Sequence, residues 1–519
     1  MSGVSAHPFP ADVSFDGGDL DCGNGLLLLI RKHIDPMDRG QLLEILSTEI
    51  SVDEDLPAWC RMTGNALLST TRSGKQRSFL VCKGALTERG NIQAKTAVDT
   101  GRVSAATSAA MQHPVQVNIR TDWPEPMVVE KIKPLSVMGI GSWPRPRWMV
   151  QAIHEHMQGR LDDSAFIATT HDAVQLSVQA QLRAGVDLVT DGEQGRDSYA
   201  SFVGGILDNC QLIPLTDLLP LVDDPEAFEL ELRALDVPAG DVRHPAVFGP
   251  LGRSRPLAVA ELEYVKTLTP RAVKVALPGP YLLTRTMWME CISDRAYDSR
   301  ESLAVDVVRV LREELADLLA RGATLVQFDE PVLSEVVFGG DNSANKRSFM
   351  CGALGEKKDT VTELAFARDL INAVVAGFPE DRLALHMCRG NWTPDESAAL
   401  TGDYSALVPT LSQLKVGTLL LELCTPRAGE MQILKGLPLH MRLGVGVCNQ
   451  KLTDVETVEG IVQKGEQAIQ WFGKERVLLT PDCGFATFAD NPLASAPVAE
   501  HKLAAIAQAA LRLRERHRL

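Results

Sequence analysis

Eight short aliphatic runs, each closing on polar residues, constrain this chain more than any other feature of its sequence. They are Val137–Trp143, Leu188–Glu193, Ala272–Gly279, Thr324–Pro331, Leu383–Cys388, Thr418–Leu423, Met441–Val447 and Val477–Cys483. Strands buried on both faces read as continuous apolar runs, which is the signature of a parallel sheet. Helical periodicity separates many of the runs. This alternation predicts an α/β chain closing into a (β/α)8 TIM barrel. The gap at about residues 200–270 is too long for one helix and predicts an insertion over the barrel mouth.

The texture before Ser136 is different. An amphipathic stretch at 26–33 is followed by the turn Asp35-Pro36-Met37-Asp38-Arg39-Gly40, a strand-like 41–46 and a helix around 55–63. The alternating runs 66–71 and 77–82 read as a hairpin with Ser73-Gly74 at its turn. We therefore expect a small two-layer α/β sandwich over 13–84, a linker over 85–134 and the barrel over 135–519. A chain of 519 residues has room for such a division.

Composition narrows the partners. The net charge is −15, and no Lys/Arg run offers the concentrated basic surface that phosphate binding needs. The apolar run Leu26–Ile30 is far shorter than the roughly 20 residues that span a bilayer. Asp12, Asp16, Asp19 and Asp21 give the N-terminal segment the wrong charge for a signal peptide. These features point to a cytoplasmic protein without nucleic-acid or membrane partners. Ten cysteines scattered along a chain in a reducing compartment are core residues, metal ligands or reactive thiols, not a disulfide framework.

Catalytic groups of such barrels sit where the strands end. Here His386 and Cys388 are two apart, so on an extended strand end they point to one side. Glu422 closes the next run and Cys483 the last. Two thiols and an imidazole, with Glu422 as a displaceable fourth ligand, suit zinc that must accept a substrate thiol. A free thiol with a pKa near 8.5 is mostly protonated at neutral pH, and zinc keeps it as the nucleophilic thiolate. A buried Cys or His taken singly is more often packing, and Cys424 is read so. Arg196 and Arg389, just past strand ends, either bind an anionic part of a substrate or are solvated surface residues.

The segments Ile140-Gly141-Ser142-Trp143-Pro144, Asp191-Gly192-Glu193, Gln327-Phe328-Asp329-Glu330-Pro331, His386-Met387-Cys388-Arg389-Gly390-Asn391-Trp392 and Pro481-Asp482-Cys483-Gly484 occur in the order of a known family. They resemble the cobalamin-independent methionine synthases, and most closely their shorter branch, which includes epoxyalkane:coenzyme M transferases. The resemblance covers 135–519. It implies that His386, Cys388 and Cys483 bind Zn2+ with Glu422 as the weaker ligand, and that Ser142, Glu193 and Asp329 hold an amino-acid thiol such as homocysteine. Carboxylates suit a substrate ammonium, although Glu193 and Asp329 could instead form a structural ion pair and Ser142 a simple turn. The activity implied is transfer of a methyl or alkyl group between a small donor and a small-molecule thiol. Two departures put a folate donor in doubt. The chain lacks the second barrel half of the long branch, and it reads Val447-Cys448-Asn449-Gln450 where that branch carries a His after the seventh strand.

Near the N-terminus, Asp19-Leu20-Asp21-Cys22-Gly23-Asn24-Gly25, Asp55-Leu56-Pro57-Ala58-Trp59-Cys60 and Phe79-Leu80-Val81-Cys82-Lys83-Gly84 resemble TusA-type sulfur carriers. There the first Cys, at a helix start, accepts a persulfide, and a helix N-terminus lowers a thiol pKa. The family's Cys-Pro-x-Pro is here Cys-Gly-x-Gly. The resemblance implies that Cys22 exchanges sulfur with a relay protein or with an alkyl substrate at the zinc site. A retained fold serving docking or stability, or a non-catalytic sulfur-trafficking protein on a degenerate barrel, are the alternatives.

Overall fold

Apolar runs bounded by Gly, Pro and acidic residues become strands here, and the helices over 163–184, 300–320, 360–375, 458–472 and 496–517 begin at Asp, Ser or Thr caps. A computed structural model of the chain describes residues 7–18, 26–34, 36–50, 52–63, 65–73, 76–84, 86, 114–214, 243–339, 359–391, 396, 399–489 and 492–519. The chain divides into two compact units, Met1–His113 and Pro114–Leu519. The second begins inside the 85–134 segment read as linker.

In the first unit, strands β1 (Val13–Asp16), β2 (Leu42–Ser47), β3 (Ala66–Ser73) and β4 (Gln76–Cys82) form one sheet in the order β1-β2-β4-β3. β1 runs parallel to β2, while β4 pairs antiparallel with both β2 and β3. Helices α1 (Leu27–Ile34) and α2 (Val52–Thr63) supply Ile30, Ile34, Leu56 and Cys60 to a core with Leu43, Ile45, Phe79 and Val81. Alternation along the strands thus sends one row of side chains under the helices.

The second unit is built on a curled parallel sheet. Its strands are β5 (Leu188–Val189), β8 (Ala272–Pro278), β9 (Leu325–Asp329), β10 (Leu383–Met387), β11 (Thr418–Leu421), β12 (Arg442–Cys448) and β13 (Val477–Pro481), in the order β13-β12-β11-β10-β9-β8-β5. Parallel bridges join Val137 to Leu479 and Met138 to Leu188, so the 137–138 segment touches both edge strands. Met138, Ile140, Leu188, Leu325, Ala384, Leu420 and Leu478 pack together as one core cluster. Truncating one such buried Leu to Ala typically costs about 2–5 kcal/mol.

In place of the long gap after β5, the structure has an antiparallel pair, β6 (Asp208–Pro214) and β7 (Arg243–Gly252), outside the curled sheet. The 114–134 segment carries no helix or strand but is tied to this unit. Arg120 bonds Asp317, and the Met127 N–H donates to the Leu319 carbonyl. Among the described residues, no helix is long and apolar enough to cross a membrane.

Strand ends are fixed by their own chemistry. Gly279 and Pro280 follow β8, and Pro280 opens helix α3 (Pro280–Met287) at a position where a missing N–H costs nothing. The helix has no side-chain cap from Gly279; instead Glu330, just past β9, accepts from the Tyr281 and Leu282 N–H groups at 2.8 and 3.0 Å. Parallel register sets His386 opposite Asp329 and Leu420 opposite His386, which brings the chemically active ends to one level.

Candidate functional site

Two strand ends, those of β10 and β13, meet in a buried cluster. A ring nitrogen of His386 and the sulfurs of Cys388 and Cys483 lie within 4.8 Å of one another, and all three residues are buried. His386 Nδ1 is 3.2 Å from the Leu420 carbonyl, which can only accept, so Nδ1 carries the proton. Nε2 is then the free donor atom, buried without a hydrogen-bond partner. Cys388 is pulled down to about 5 by the Cys483 thiol that donates to it, with further help from His386 against the desolvation that opposes it. Cys483 is pushed well up by the same contact. Two sulfurs and an imidazole nitrogen thus face one another in a buried cluster, a soft donor set that fits zinc.

Cys424 is different. It is bonded by Lys464 Nζ at 3.1 Å, and its thiol is pushed up to about 12 by burial, so it reads as the structural cysteine expected.

The cluster forms one wall of a cavity that Ser142, Glu193, Asp329, Asn391 and Thr487 also line. Glu193 reaches it through a strained turn. Gly192 and Glu193 have φ of +76° and +55°, the latter costly for a residue with a Cβ. Arg145 Nη2 holds the Glu193 carbonyl at 2.7 Å, and Asp191 accepts from its N–H at 2.9 Å. Glu193 Oε2 is buried without a partner, and burial raises its carboxyl above the usual range. Burial likewise pushes Asp329 up to about 7. Gln327 Nε2 donates to Asp329 Oδ1 at 2.6 Å. Ser142 Oγ accepts weakly from the Ala486 N–H at 3.3 Å.

The other expected residues lie elsewhere. Glu422 is fully buried, stands outside the three-residue cluster and does not line the cavity. Arg196 is not a surface residue: its guanidinium is 2% exposed, bonds Glu261 and the Ala276 carbonyl, and lies over the Phe202 ring at 4.2 Å. Arg389 is also buried, donating to the Gly402 carbonyl between the rings of Phe338 and Tyr404. Neither lines the cavity. Both positions tempted an anion-binding reading because an Arg beside a strand end looks alike in sequence whichever way it turns. Cys22 lies outside the described residues.

Several neighbours of the site went unassigned in the sequence. Lys274 is a fully buried lysine whose Nζ donates to the Ile140 carbonyl and to Gln327 Oε1, both at 2.5 Å. Burial pushes it down to about 7, against the pull of Asp329 and Glu193. The signal was present: a lysine inside Ala272-Val273-Lys274-Val275-Ala276 interrupts an otherwise apolar strand and needs a polar destination. Asn391 sat inside the quoted His-x-Cys-Arg-Gly-Asn motif, and its Oδ1 is buried without a partner.

A curled parallel sheet gathers two thiols, an imidazole and two buried carboxyls at its strand ends, the donor types that could hold a soft metal ion. The chain belongs to the family described as "Cobalamin-independent synthase, Catalytic domain", whose sequence model matches residues 239–506. It is 24% identical to a methionine synthase of Saccharolobus solfataricus over 388 residues, 75% of this chain and 97% of that one. A methionine synthase of Thermococcus kodakarensis is 26% identical over 354 residues, 68% of this chain and 87% of its own. Among solved structures, the fold is shared with a B12-independent methionine synthase from Shewanella sp. W3-18-1 in complex with selenomethionine. The TM-score is 0.55 at 22% identity, over 74% of this chain and 99% of that chain. A putative vitamin-B12-independent methionine synthase from Listeria monocytogenes gives 0.53 at 17% identity, over 74% and 99%.

Proposed function

We propose that this protein is a zinc-dependent methyltransferase that methylates a small thiol, with homocysteine as acceptor. The observation that carries the reading is the His386–Cys388–Cys483 cluster, buried, with its donor atoms within 4.8 Å of one another, on the cavity wall. Zinc held by these three residues would keep the substrate thiol deprotonated at neutral pH. The chain's own groups then bind and orient. Glu193 and Asp329, facing the same cavity, receive the substrate ammonium, and Ser142 borders it. Closing the amino acid between carboxyls and metal aims the sulfur at the methyl donor, and fixed orientation is what accelerates an in-line displacement. The eight-stranded (β/α)8 reading, with 137–138 as first strand, belongs to this proposal.

Asp329→Asn is expected to weaken homocysteine by about 1.5–3 kcal/mol, the usual worth of a hydrogen bond to a charged group. Calorimetric titration of the zinc-loaded protein reads it. Unchanged affinity would mean that the substrate carries no ammonium at this place.

A second reading concerns the first unit. Its β-α-β-α-β-β order and its two helices on one sheet support a TusA-type sulfur carrier fused to the synthase domain. On this reading Cys22 passes sulfur to or from the barrel site. Cys22→Ser should then abolish sulfur transfer from a persulfide donor. Full turnover of the variant with every sulfur source would leave only a docking role.

A further inference from the structure

A lysine inside an apolar strand is costly unless its ammonium is fully bonded. Lys274 lies on β8 with no exposure, and its ammonium reaches two segments that lead into the cavity. One contact is the Ile140 carbonyl at 2.5 Å, two residues before Ser142. The other is Gln327 Oε1 at 2.5 Å, on β9 two residues before Asp329. An ammonium only donates, so it fixes which way the Gln327 amide faces: oxygen toward Lys274, nitrogen away from it. Gln327 Nε2 accordingly donates to Asp329 Oδ1 at 2.6 Å. Gln327 is itself fully buried, so neither end of the amide can turn to solvent instead. Residues two apart on a strand share a face, so pleat alone sets Gln327 and Asp329 in one row. A Cβ at Gly141 would fall 2.1 Å from Glu193 Oε1, so the segment that Lys274 anchors also supports the second cavity carboxyl.

Resting on the amino-acid thiol reading above, we infer that Lys274 is a positioning residue for substrate recognition, which through the Gln327 amide holds Asp329 in line to receive the substrate ammonium. Without the lysine the amide is free to turn its oxygen toward Asp329. Two acceptors would then face each other, and the carboxylate would lose its alignment. Removing the lysine also removes a positive charge, which by itself favours a cation in the cavity. A change at Gln327 alters no charge and isolates the amide.

The test is calorimetric titration of the zinc-loaded full chain with homocysteine and with 4-mercaptobutanoate, which is homocysteine without its amino group. Gln327→Met and Lys274→Met are each expected to weaken homocysteine about tenfold or more, as for a lost hydrogen bond to a charged group, and to leave 4-mercaptobutanoate within about twofold of wild type. The double variant makes both partners apolar. It should bind homocysteine within about twofold of Gln327→Met, because contacts that act as one relay are not additive. Equal losses for the two thiols would show a lysine that only supports the fold, and would overturn the inference. So would unchanged or tighter homocysteine binding in either single variant, or fully additive losses in the double. If Lys274→Met fails to fold, the comparison of Gln327→Met with the double variant decides. Failure of the amino-acid reading shows separately, as wild-type protein that binds both thiols equally well.

Discussion

Cys388→Ala and Cys483→Ala are each expected to lose bound zinc and methyl transfer together, by more than about a hundredfold in metal affinity. Loss of an outer-shell partner alone usually costs 10–100-fold, and removing a coordinating sulfur should exceed that. The two sulfurs sit in the same buried cluster as His386, and neither has a second role in the strand ladders that would confuse the outcome. Cys424→Ala is the control. Its sulfur is bonded to Lys464 and held protonated, and the residue stands outside the cluster, so the variant should keep wild-type zinc content. Elemental analysis of the purified proteins separates the cases. Retained zinc in Cys388→Ala, or zinc lost from Cys424→Ala, would reverse the ligand assignment.

Gly279→Ala is expected to destabilise the second unit by about 3 kcal/mol or more, combining overpacking with the loss of a helix cap. A Cβ at Gly279 would lie 2.2, 2.3 and 2.4 Å from Glu330 Oε1, Cδ and Cγ. Three consecutive atoms of one side chain are met, so the carboxyl cannot simply swing its tip aside. Glu330 is fully buried and serves the first N–H groups of α3, which would be stranded if it moved. Burial also pushes its carboxyl up to about 8, so the folded state favours the neutral form and stability declines as pH rises from about 4.5 toward 8. Gly139→Ala, where a Cβ meets nothing within 4 Å, supplies the comparison. Urea midpoints should fall for the first variant and hold for the second. Equal midpoints would remove the cap from the account.

Much of this was legible because the determining signals are local. An apolar run that ends in Asp-Glu-Pro or Asp-Cys-Gly reads as a buried strand reaching an active face, and β9 and β13 end there. The two-residue spacing of His386 and Cys388 places both on one side of a strand end by pleat alone. Cys483 was legible from its place at the close of the last aliphatic run, and the family resemblance named the same residue. Side-chain direction beyond a strand end was not legible. Arg196, Arg389 and Glu422 follow strands just as His386, Cys388 and Cys483 do, yet Arg196 turns to Glu261 and Glu422 to Arg427. Those partners come from distant segments or loops, and no spacing rule announces them. The antiparallel pair β6–β7 was hidden for a similar reason, since its sheet pairs only with itself.

Lys274 marks an intermediate case. A charge inside an apolar strand signals that something polar waits beneath, but not what it is. Its partners, Ile140 and Gln327, lie on other elements, and through Gln327 it connects to Asp329. Buried polar groups of this kind are retained only when satisfied, so the lysine was a clue to the carboxyl-lined cavity above it.

The central claim is that His386, Cys388 and Cys483 hold zinc with a place open to a substrate sulfur. Zinc-edge X-ray absorption of the purified protein, without and with homocysteine, tests it most directly. The account predicts two sulfurs, one nitrogen and one oxygen at the resting metal, changing to three sulfurs and one nitrogen when the thiol is added. A zinc shell that homocysteine leaves unaltered, or one lacking the two cysteine sulfurs, would contradict it.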